Sequence, residues 1–210
     1  MDFSLWLAFA AASTALLLIP GPTVLLVLAY AIGQGRRTAV PTALGVATGD
    51  LIAMSASLAG LGALVLASAT LFTALKWIGA AYLIWLGFKM IRGAKMCAFD
   101  LEKTEDSIAP KAAFFNAAAV TALNPKSIVF FIAFVPQFLN PDAPLLGQSA
   151  ILIATFVGLA GINALAYAFL ADRMRQAIRR QNVIAWMTRI GGGALIAMGV
   201  ATAMARRATG

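Results

Sequence analysis

The chain has no histidine, one cysteine and few charged side chains. The single cysteine is Cys97, and charged residues make up 11% of the 210 residues, against about 25% in an ordinary soluble domain. These absences exclude an internal disulfide and any site built from several thiolate or imidazole ligands. We therefore expect no bound metal and no cofactor.

Apolar residues dominate what remains. They make up 61% of the chain, and the mean hydropathy is +0.88. A soluble domain of this length could not cover its surface with so few polar side chains, so the composition predicts a polytopic membrane protein. We expect an all-α fold in which residues 1–210 form one transmembrane domain without a separate soluble domain.

Six apolar segments are long enough to cross a bilayer as helices. The polar stretch 93–110 divides them into two groups of three, a first repeat over about 1–92 and a second over about 111–210. Because three is odd, the second group must enter the membrane in the opposite orientation, which predicts a 3+3 inverted repeat. The first segment lacks the basic flank of a secretory signal and is expected to be retained. The six segments are about 4–32, 40–66, 70–91, 112–135, 147–171 and 187–205. The last is short, so a five-span arrangement is the alternative.

Positive charge is concentrated on one side of the predicted bundle. Twelve of the 16 Lys and Arg residues lie in or beside the segments between spans one and two, three and four, and five and six. The positive-inside rule places these segments in the cytoplasm and both termini outside, with the chain in the inner plasma membrane. The cations suit anionic membrane lipids, and no soluble basic domain exists for a nucleic-acid partner. Residues 172–189 form either a basic amphipathic helix on the membrane surface or a solvated loop.

Prolines interrupt the first and fourth apolar segments near their middles. The interruptions read Pro20-Gly21-Pro22 and Asn124-Pro125-Lys126. Proline suits the first position of a helix and asparagine is a favoured N-cap, so each break predicts a half-helix that begins inside the membrane. In an inverted arrangement the two new N-termini would converge near the midplane, where their free N–H groups suit a carboxylate. Matched breaks indicate a transporter's substrate site, with a pair of simple proline kinks as the alternative.

Polar side chains near these breaks complete the candidate site. Asp50 lies about 15–18 Å along the second span, and an intramembrane carboxylate is a functional candidate by default. It could pair with a substrate ammonium, carry the coupling proton or do both in turn. The alternatives are a structural salt bridge and a buried acid hydrogen-bonded to Thr or Asn. Lys126 could neutralise Asp50, bind a substrate carboxylate or extend towards the membrane interface. Asn163 is a further candidate for the cavity, and Gly45 and Gly49 permit close helix packing within one chain or in a homodimer.

Several short motifs follow one another along most of the chain. They are Pro20-Gly21-Pro22, Gly35-Arg36-Arg37, Gly45 with Gly49-Asp50, Lys76-Trp77-Ile78-Gly79-Ala80-Ala81-Tyr82-Leu83, Leu86-Gly87, Asn124-Pro125-Lys126 and Pro136-Gln137-Phe138. In this order the chain resembles the LysE/RhtB family of amino-acid exporters. The resemblance implies a six-span inverted-repeat bundle that uses the proton gradient to export amino acids or close derivatives, with both breaks and Asp50 lining the path.

Two other classes of function are less consistent with the residues. A divalent metal exporter of related fold is the alternative, but one intramembrane carboxylate offers too few oxygen ligands for a hard cation. An intramembrane enzyme would lack a histidine base, so no enzymatic activity is expected. The residues predicted to bind substrate are Pro20, Gly21, Pro22, Gly49, Asp50, Asn124, Pro125, Lys126 and Asn163, with Asp50 also predicted to carry the proton.

Overall fold

The computed structural model describes residues 2–34, 37–67, 69–93, 108–140, 143–178 and 181–204, and no strand occurs among them. Cys97, Arg36 and most of the predicted central segment lie outside these residues. The α-helices of the described chain are α1 (Phe3–Leu18), α2 (Pro22–Gln34), α3 (Ala39–Ala67), α4 (Ala69–Gly93), α5 (Pro110–Ala122), α6 (Pro125–Ala133), α7 (Leu145–Ile178) and α8 (Gln181–Met204). A 3-10 helix, Val135–Phe138, follows α6.

The helices coincide with the six predicted segments. Ala39–Gly62, Thr73–Gly93 and Leu145–Ala171 are each long and apolar enough to cross a bilayer. The pairs α1 with α2 and α5 with α6 meet the same criterion when each bent pair is counted as one span. Thr188–Met204 is a shorter apolar helix. The structure confirms an all-helical polytopic bundle.

Helix α7 extends beyond the predicted fifth span. The part that can cross a bilayer is Leu145–Ala171, in agreement with the predicted 147–171, and the helix continues to Ile178 before α8 begins at Gln181. The first part of the segment 172–189 is therefore helical and continuous with α7, rather than a loop or a separate surface helix.

Both proline-containing segments are broken helices rather than smoothly kinked ones. The axes of α1 and α2 meet at 57°, and those of α5 and α6 at 46°. Pro22 and Pro125 are the first residues of α2 and α6, where a missing N–H group costs no helical hydrogen bond. Ile19 ends α1 in an extended conformation, with φ −72° and ψ 119°. Each span thus contains a helix C-terminus and a helix N-terminus at membrane depth.

Glycines set the position of α3 against the broken fourth span. A Cβ atom on Gly45 would collide with the carbonyl oxygen of Phe114, and one on Gly49 would lie 2.6 Å from the carbonyl oxygen of Ala118. The backbones of α3 and α5 can approach this closely only because both positions lack a side chain. This contact holds Asp50, the next residue of α3, beside the end of α5.

Aromatic packing holds α6 against α7. Phe131 and Phe156 have ring centroids 4.8 Å apart, and Phe130 and Phe156 are 5.9 Å apart. All three side chains are fully buried. Phe138 of the 3-10 helix continues the cluster to Phe9 of α1, with centroids 5.4 Å apart. This aromatic cluster fixes the orientation of α6, and with it the break that precedes α6.

The pattern of helix contacts has an internal correspondence. Helix α3 packs against α5, α6 and α7, while α7 packs against α1, α2 and α3. Exchanging the first three spans for the last three maps these neighbours onto one another, but the contacts of α3 with α2 and of α4 with α6 have no comparable counterpart among the described helices. The predicted division into repeats of about 1–92 and 111–210 requires such a correspondence, and the opposite orientation of the repeats stays a prediction.

Candidate functional site

The two helix breaks lie side by side. Thr23 follows Pro22 in the first turn of α2, and its hydroxyl oxygen accepts a hydrogen bond from Asn124 Nδ2 at 3.2 Å. The Thr121 hydroxyl at the end of α5 lies 3.3 Å from the same oxygen and donates to it. One threonine therefore connects the first break to both sides of the second, although the residues are about 100 positions apart in the chain.

Asn124 is the N-cap of α6. Its backbone is extended, and its Oδ1 atom accepts a hydrogen bond from the Lys126 N–H group at 3.1 Å. An N-cap side chain satisfies one of the orphan N–H groups of the first turn. At the N-terminus of α6 the Lys126 N–H group is therefore already hydrogen-bonded to Asn124 and is not available to a ligand. The charged side chain of Lys126 is a stronger candidate donor to a ligand than its N–H group.

The C-terminal end of α1 cannot complete its hydrogen bonds within the first span. Continuing the helix would require the N–H groups of residues 20 to 23, and Pro20 and Pro22 have none. The Ile19 N–H group instead donates to the Leu16 carbonyl at 3.2 Å. In a bilayer each unsatisfied carbonyl would cost several kcal/mol, so other donors are needed.

Lys126 supplies two of these donors. Its Nζ atom lies 3.2 Å from the carbonyl oxygen of Leu16 and 3.1 Å from that of Ile19. A cation at the C-terminus of a helix also complements the negative end of the helix dipole. The Lys126 side chain is buried, so it does not extend to the membrane interface.

Helix α7 supplies the other two donors. Asn163 Nδ2 donates to the carbonyl oxygen of Leu17 at 3.1 Å, and the Tyr167 hydroxyl donates to that of Leu18 at 3.2 Å. Asn163 and Tyr167 are four residues apart and therefore lie on one face of α7. Together with Lys126 they bind all four terminal carbonyls of α1, and we refer to Lys126, Asn163 and Tyr167 as the α1 cap.

Asp50 is buried on α3 without a hydrogen-bond partner for its Oδ1 atom among the described residues. Only 2% of its surface is exposed. No direct ion pair joins it to Lys126 in the described part of the chain, although the two groups are close enough to interact electrostatically. One structural alternative for Asp50, a direct salt bridge to Lys126, is therefore absent from this conformation, and its Oδ1 atom retains capacity for a ligand.

A small cavity joins these groups. The space open to the centre of a water molecule is about 30 Å³, which is room for about two waters. An amino acid has several non-hydrogen atoms, so the walls must move before one can enter. The cavity is lined by Leu17, Thr23, Val24, Val27, Val46, Asp50, Asn124, Lys126, Ser127, Ala160, Asn163, Ala164 and Tyr167.

The structure brings four of the predicted site residues to this cavity: Asp50, Asn124, Lys126 and Asn163. The other five, which shape the backbone around it, are Pro20, Gly21, Pro22, Gly49 and Pro125. Pro22 and Pro125 are exposed on the outside of the chain, Gly49 packs on α5, and a Cβ on Gly21 would lie 3.5 Å from Lys126 Nζ.

Sequence reasoning missed three polar residues of the cavity. Thr23 and Ser127 each lie in the first turn after a break, and this position was the signal that could have identified them. Tyr167 lies one helical turn after Asn163, so the same face of α7 could have been searched for a second polar group. The hydrogen bonds of these residues to other spans could not have been inferred from local spacing.

Broken helices that meet around a polar cavity define this bundle as a membrane transporter of the discontinuous-helix type. The sequence comparison then identifies the family. The model of the LysE type translocator family matches residues 14–206, so the chain belongs to this family of transporters rather than to a family of enzymes. No solved structure gives a significant match.

Individual relatives cover most or all of the chain. The homoserine/homoserine lactone efflux protein of Salmonella typhimurium is 36% identical over 208 residues, which are 99% of this chain and 100% of the relative. The leucine efflux protein of Salmonella choleraesuis is 33% identical over 157 residues, 74% of this chain and 73% of the relative. An uncharacterized membrane protein of Vibrio cholerae is 31% identical over 98% of this chain and 100% of its own length.

Proposed function

We propose that this protein exports amino acids or close derivatives from the cytoplasm and that proton movement drives the export. The observation that carries the proposal is the cavity between the two breaks, where an Asp50 carboxylate without a direct ion pair faces the same space as the Lys126 ammonium. The efflux of homoserine, homoserine lactone and leucine by relatives of similar length supports the amino-acid assignment.

The charge balance of the cavity favours neutral amino acids as substrates. Its lining contains one acidic and one basic side chain, which match the ammonium and carboxylate of a zwitterion. A basic or acidic amino acid would bring a further charge for which the lining offers no opposite partner, and a buried charge without a partner is costly. Hydroxyl groups of Thr23 and Ser127 can bind a polar side chain, and Val24 and Val46 can contact an aliphatic one.

In the proposed cycle Asp50 alternates between the substrate ammonium and a proton. Lys126 attracts the substrate carboxylate, and the amide of Asn163 and the hydroxyl of Tyr167 orient it. Release of substrate on the outer side leaves Asp50 without a cation, and protonation from outside then neutralises it for the return step. One proton enters for each substrate that leaves, which couples export to the proton gradient.

The proposed location is the inner plasma membrane with both termini outside. Support comes from the distribution of Lys and Arg residues along the sequence. Most of them lie in the connections between spans one and two, three and four, and five and six, which all lie on one side of the membrane. The membrane proteins among the relatives support the general location. An N-terminal tag that a reagent added outside intact cells cannot reach would contradict this orientation.

The proposed function can be tested by efflux from cells loaded with dipeptides. Cells that express the protein should release homoserine, leucine or another neutral amino acid faster than cells with an empty vector, and collapse of the proton gradient should remove the difference. Tyr30→Phe is a suitable control variant because its buried hydroxyl binds Asn116 outside the cavity. Identical efflux with and without the protein across all amino acids would reject the proposal.

A further inference from the structure

The three residues of the α1 cap have two sets of partners. Lys126, Asn163 and Tyr167 all line the cavity, and each also donates to a terminal carbonyl of α1. A ligand that binds their polar atoms must therefore share these donors with α1 or take them from it. The same side chains connect occupancy of the cavity to the position of a helix end.

The walls of the cavity are held in different ways. Helix α3 is fixed by the backbone contacts of Gly45 and Gly49 with α5, which would be lost entirely if the helices separated. The carbonyls at the end of α1 are held by hydrogen bonds from side chains that also face the cavity. A ligand carboxylate can take over these donors, and water that enters the opened cavity must then satisfy the carbonyls, since a buried acceptor without a partner costs about 1–3 kcal/mol. Leu17, at that end, lies in the cavity wall. The end of α1 also packs closely on α8, where a Cβ atom on Gly191 would lie 2.6 Å from Ile19 Cγ2. The cavity is too small for an amino acid, and the end of α1 is the wall whose hydrogen bonds a ligand can take over.

We propose that Lys126, Asn163 and Tyr167 are positioning residues that anchor the end of α1 and release it when substrate takes over their donors. This inference rests on the proposed function for its second part, the release by substrate. In the empty protein the cap keeps α1 against α6 and α7. In the loaded protein the substrate carboxylate accepts hydrogen bonds from Lys126 and Asn163, and the freed end of α1 opens the cavity.

The anchoring role can be tested without substrate by hydrogen–deuterium exchange of the purified full-length protein. The measured segment is residues 13–25, and residues 39–62 of α3 serve as the internal reference. Tyr167→Phe removes one donor and should speed exchange in 13–25 about threefold, the effect of a typical interhelical hydrogen bond in a membrane. Lys126→Met removes two charge-assisted donors and should speed it more than about tenfold.

The matched control is Tyr30→Phe. Tyr30 is also a buried tyrosine whose hydroxyl takes part in one interhelical hydrogen bond, with Asn116 Nδ2 at 3.0 Å, but it does not contact the α1 carbonyls. It should leave exchange in 13–25 unchanged. Equal rates of amide exchange in residues 13–25 for the wild type, Tyr167→Phe and Lys126→Met would overturn the proposal. Exchange in 13–25 that is as fast in Tyr30→Phe as in Tyr167→Phe would also overturn it. A general loss of folding would show as faster exchange in 39–62.

The release by substrate is tested on the wild type with saturating homoserine or leucine. Faster exchange in 13–25, with 39–62 unchanged, is expected. Slower exchange in 13–25 would show that substrate tightens the cap and would contradict its release. An unchanged exchange rate in 13–25 with an amino acid that the efflux assay shows to be exported would overturn the release by substrate and leave the proposed function standing. If the efflux assay finds no exported amino acid, the proposed function fails, and the substrate-free variants still decide the anchoring role.

Discussion

Lys126 Nζ lies 3.1 Å from the carbonyl oxygen of Ile19, so the residue that follows the second helix break caps the helix that ends at the first. The two residues are 107 positions apart. The interaction satisfies a backbone group that the helix break leaves without a partner in its own span. It also leaves the buried carboxylate of Asp50 without a direct ion pair. From this arrangement follow specific expectations for stability and for transport.

Replacement of Lys126 by methionine should destabilise the protein. The Leu16 carbonyl retains the Ile19 N–H group, but the Ile19 carbonyl loses its donor, and a buried acceptor without a partner costs about 1–3 kcal/mol. We expect a lower melting temperature in detergent, measured by the fluorescence of the purified protein. Lys126→Met with an unchanged melting temperature would show that the cap contributes nothing to the folded state.

Asn124→Ala and Asn124→Ser separate the two hydrogen bonds of this residue. Alanine removes both the N-cap of α6 and the link to Thr23, which together should cost about 1–2 kcal/mol. Serine keeps a neutral oxygen that can accept from the Lys126 N–H group and loses the amide donor to Thr23. Thermal unfolding should rank the proteins as wild type, then Asn124→Ser, then Asn124→Ala. A serine variant less stable than the alanine variant would contradict the assignment of the cap.

Gly49→Ala should be destabilising although it adds a single methyl group. The new Cβ would lie 2.6 Å from the Ala118 carbonyl oxygen and 2.7 Å from Thr121 Cβ, and overpacking of this kind costs about 1–3 kcal/mol. Gly60→Ala is the matched control in the same helix, since no atom lies within 4 Å of its added Cβ. Equal melting temperatures for the two variants would show that α3 and α5 do not pack as described.

Asp50→Asn should reduce export more than about tenfold while the protein remains in the membrane, because asparagine can neither pair with an ammonium nor carry a proton. The measurement is efflux from loaded cells, normalised to the amount of protein in the membrane fraction. The Tyr30→Phe variant gives the expected effect of a buried substitution away from the cavity. Full, proton-dependent efflux by Asp50→Asn would remove Asp50 from the mechanism.

The sequence predicts those parts of this site that have local causes. The N-cap role of Asn124 follows from its position before Pro125, and the burial of Asp50 follows from its depth in an apolar segment. The partners of the α1 carbonyls could not be predicted, because Asn163 and Tyr167 approach α1 only after the spans have packed. Pro22 was predicted to bind substrate from its position at a break, yet it faces away from the cavity because the first residue of a helix can set the backbone without contributing to the enclosed face.

The central claim is that a cavity with one acidic and one basic side chain between two helix breaks carries neutral zwitterions. The most direct measurement is the initial rate of proton-gradient-driven transport in proteoliposomes for neutral, basic and acidic amino acids of similar size, each competed against labelled homoserine. The account predicts saturable transport of neutral amino acids and at least about tenfold weaker competition by lysine and glutamate. Preferred transport of lysine or glutamate over every neutral amino acid would contradict it.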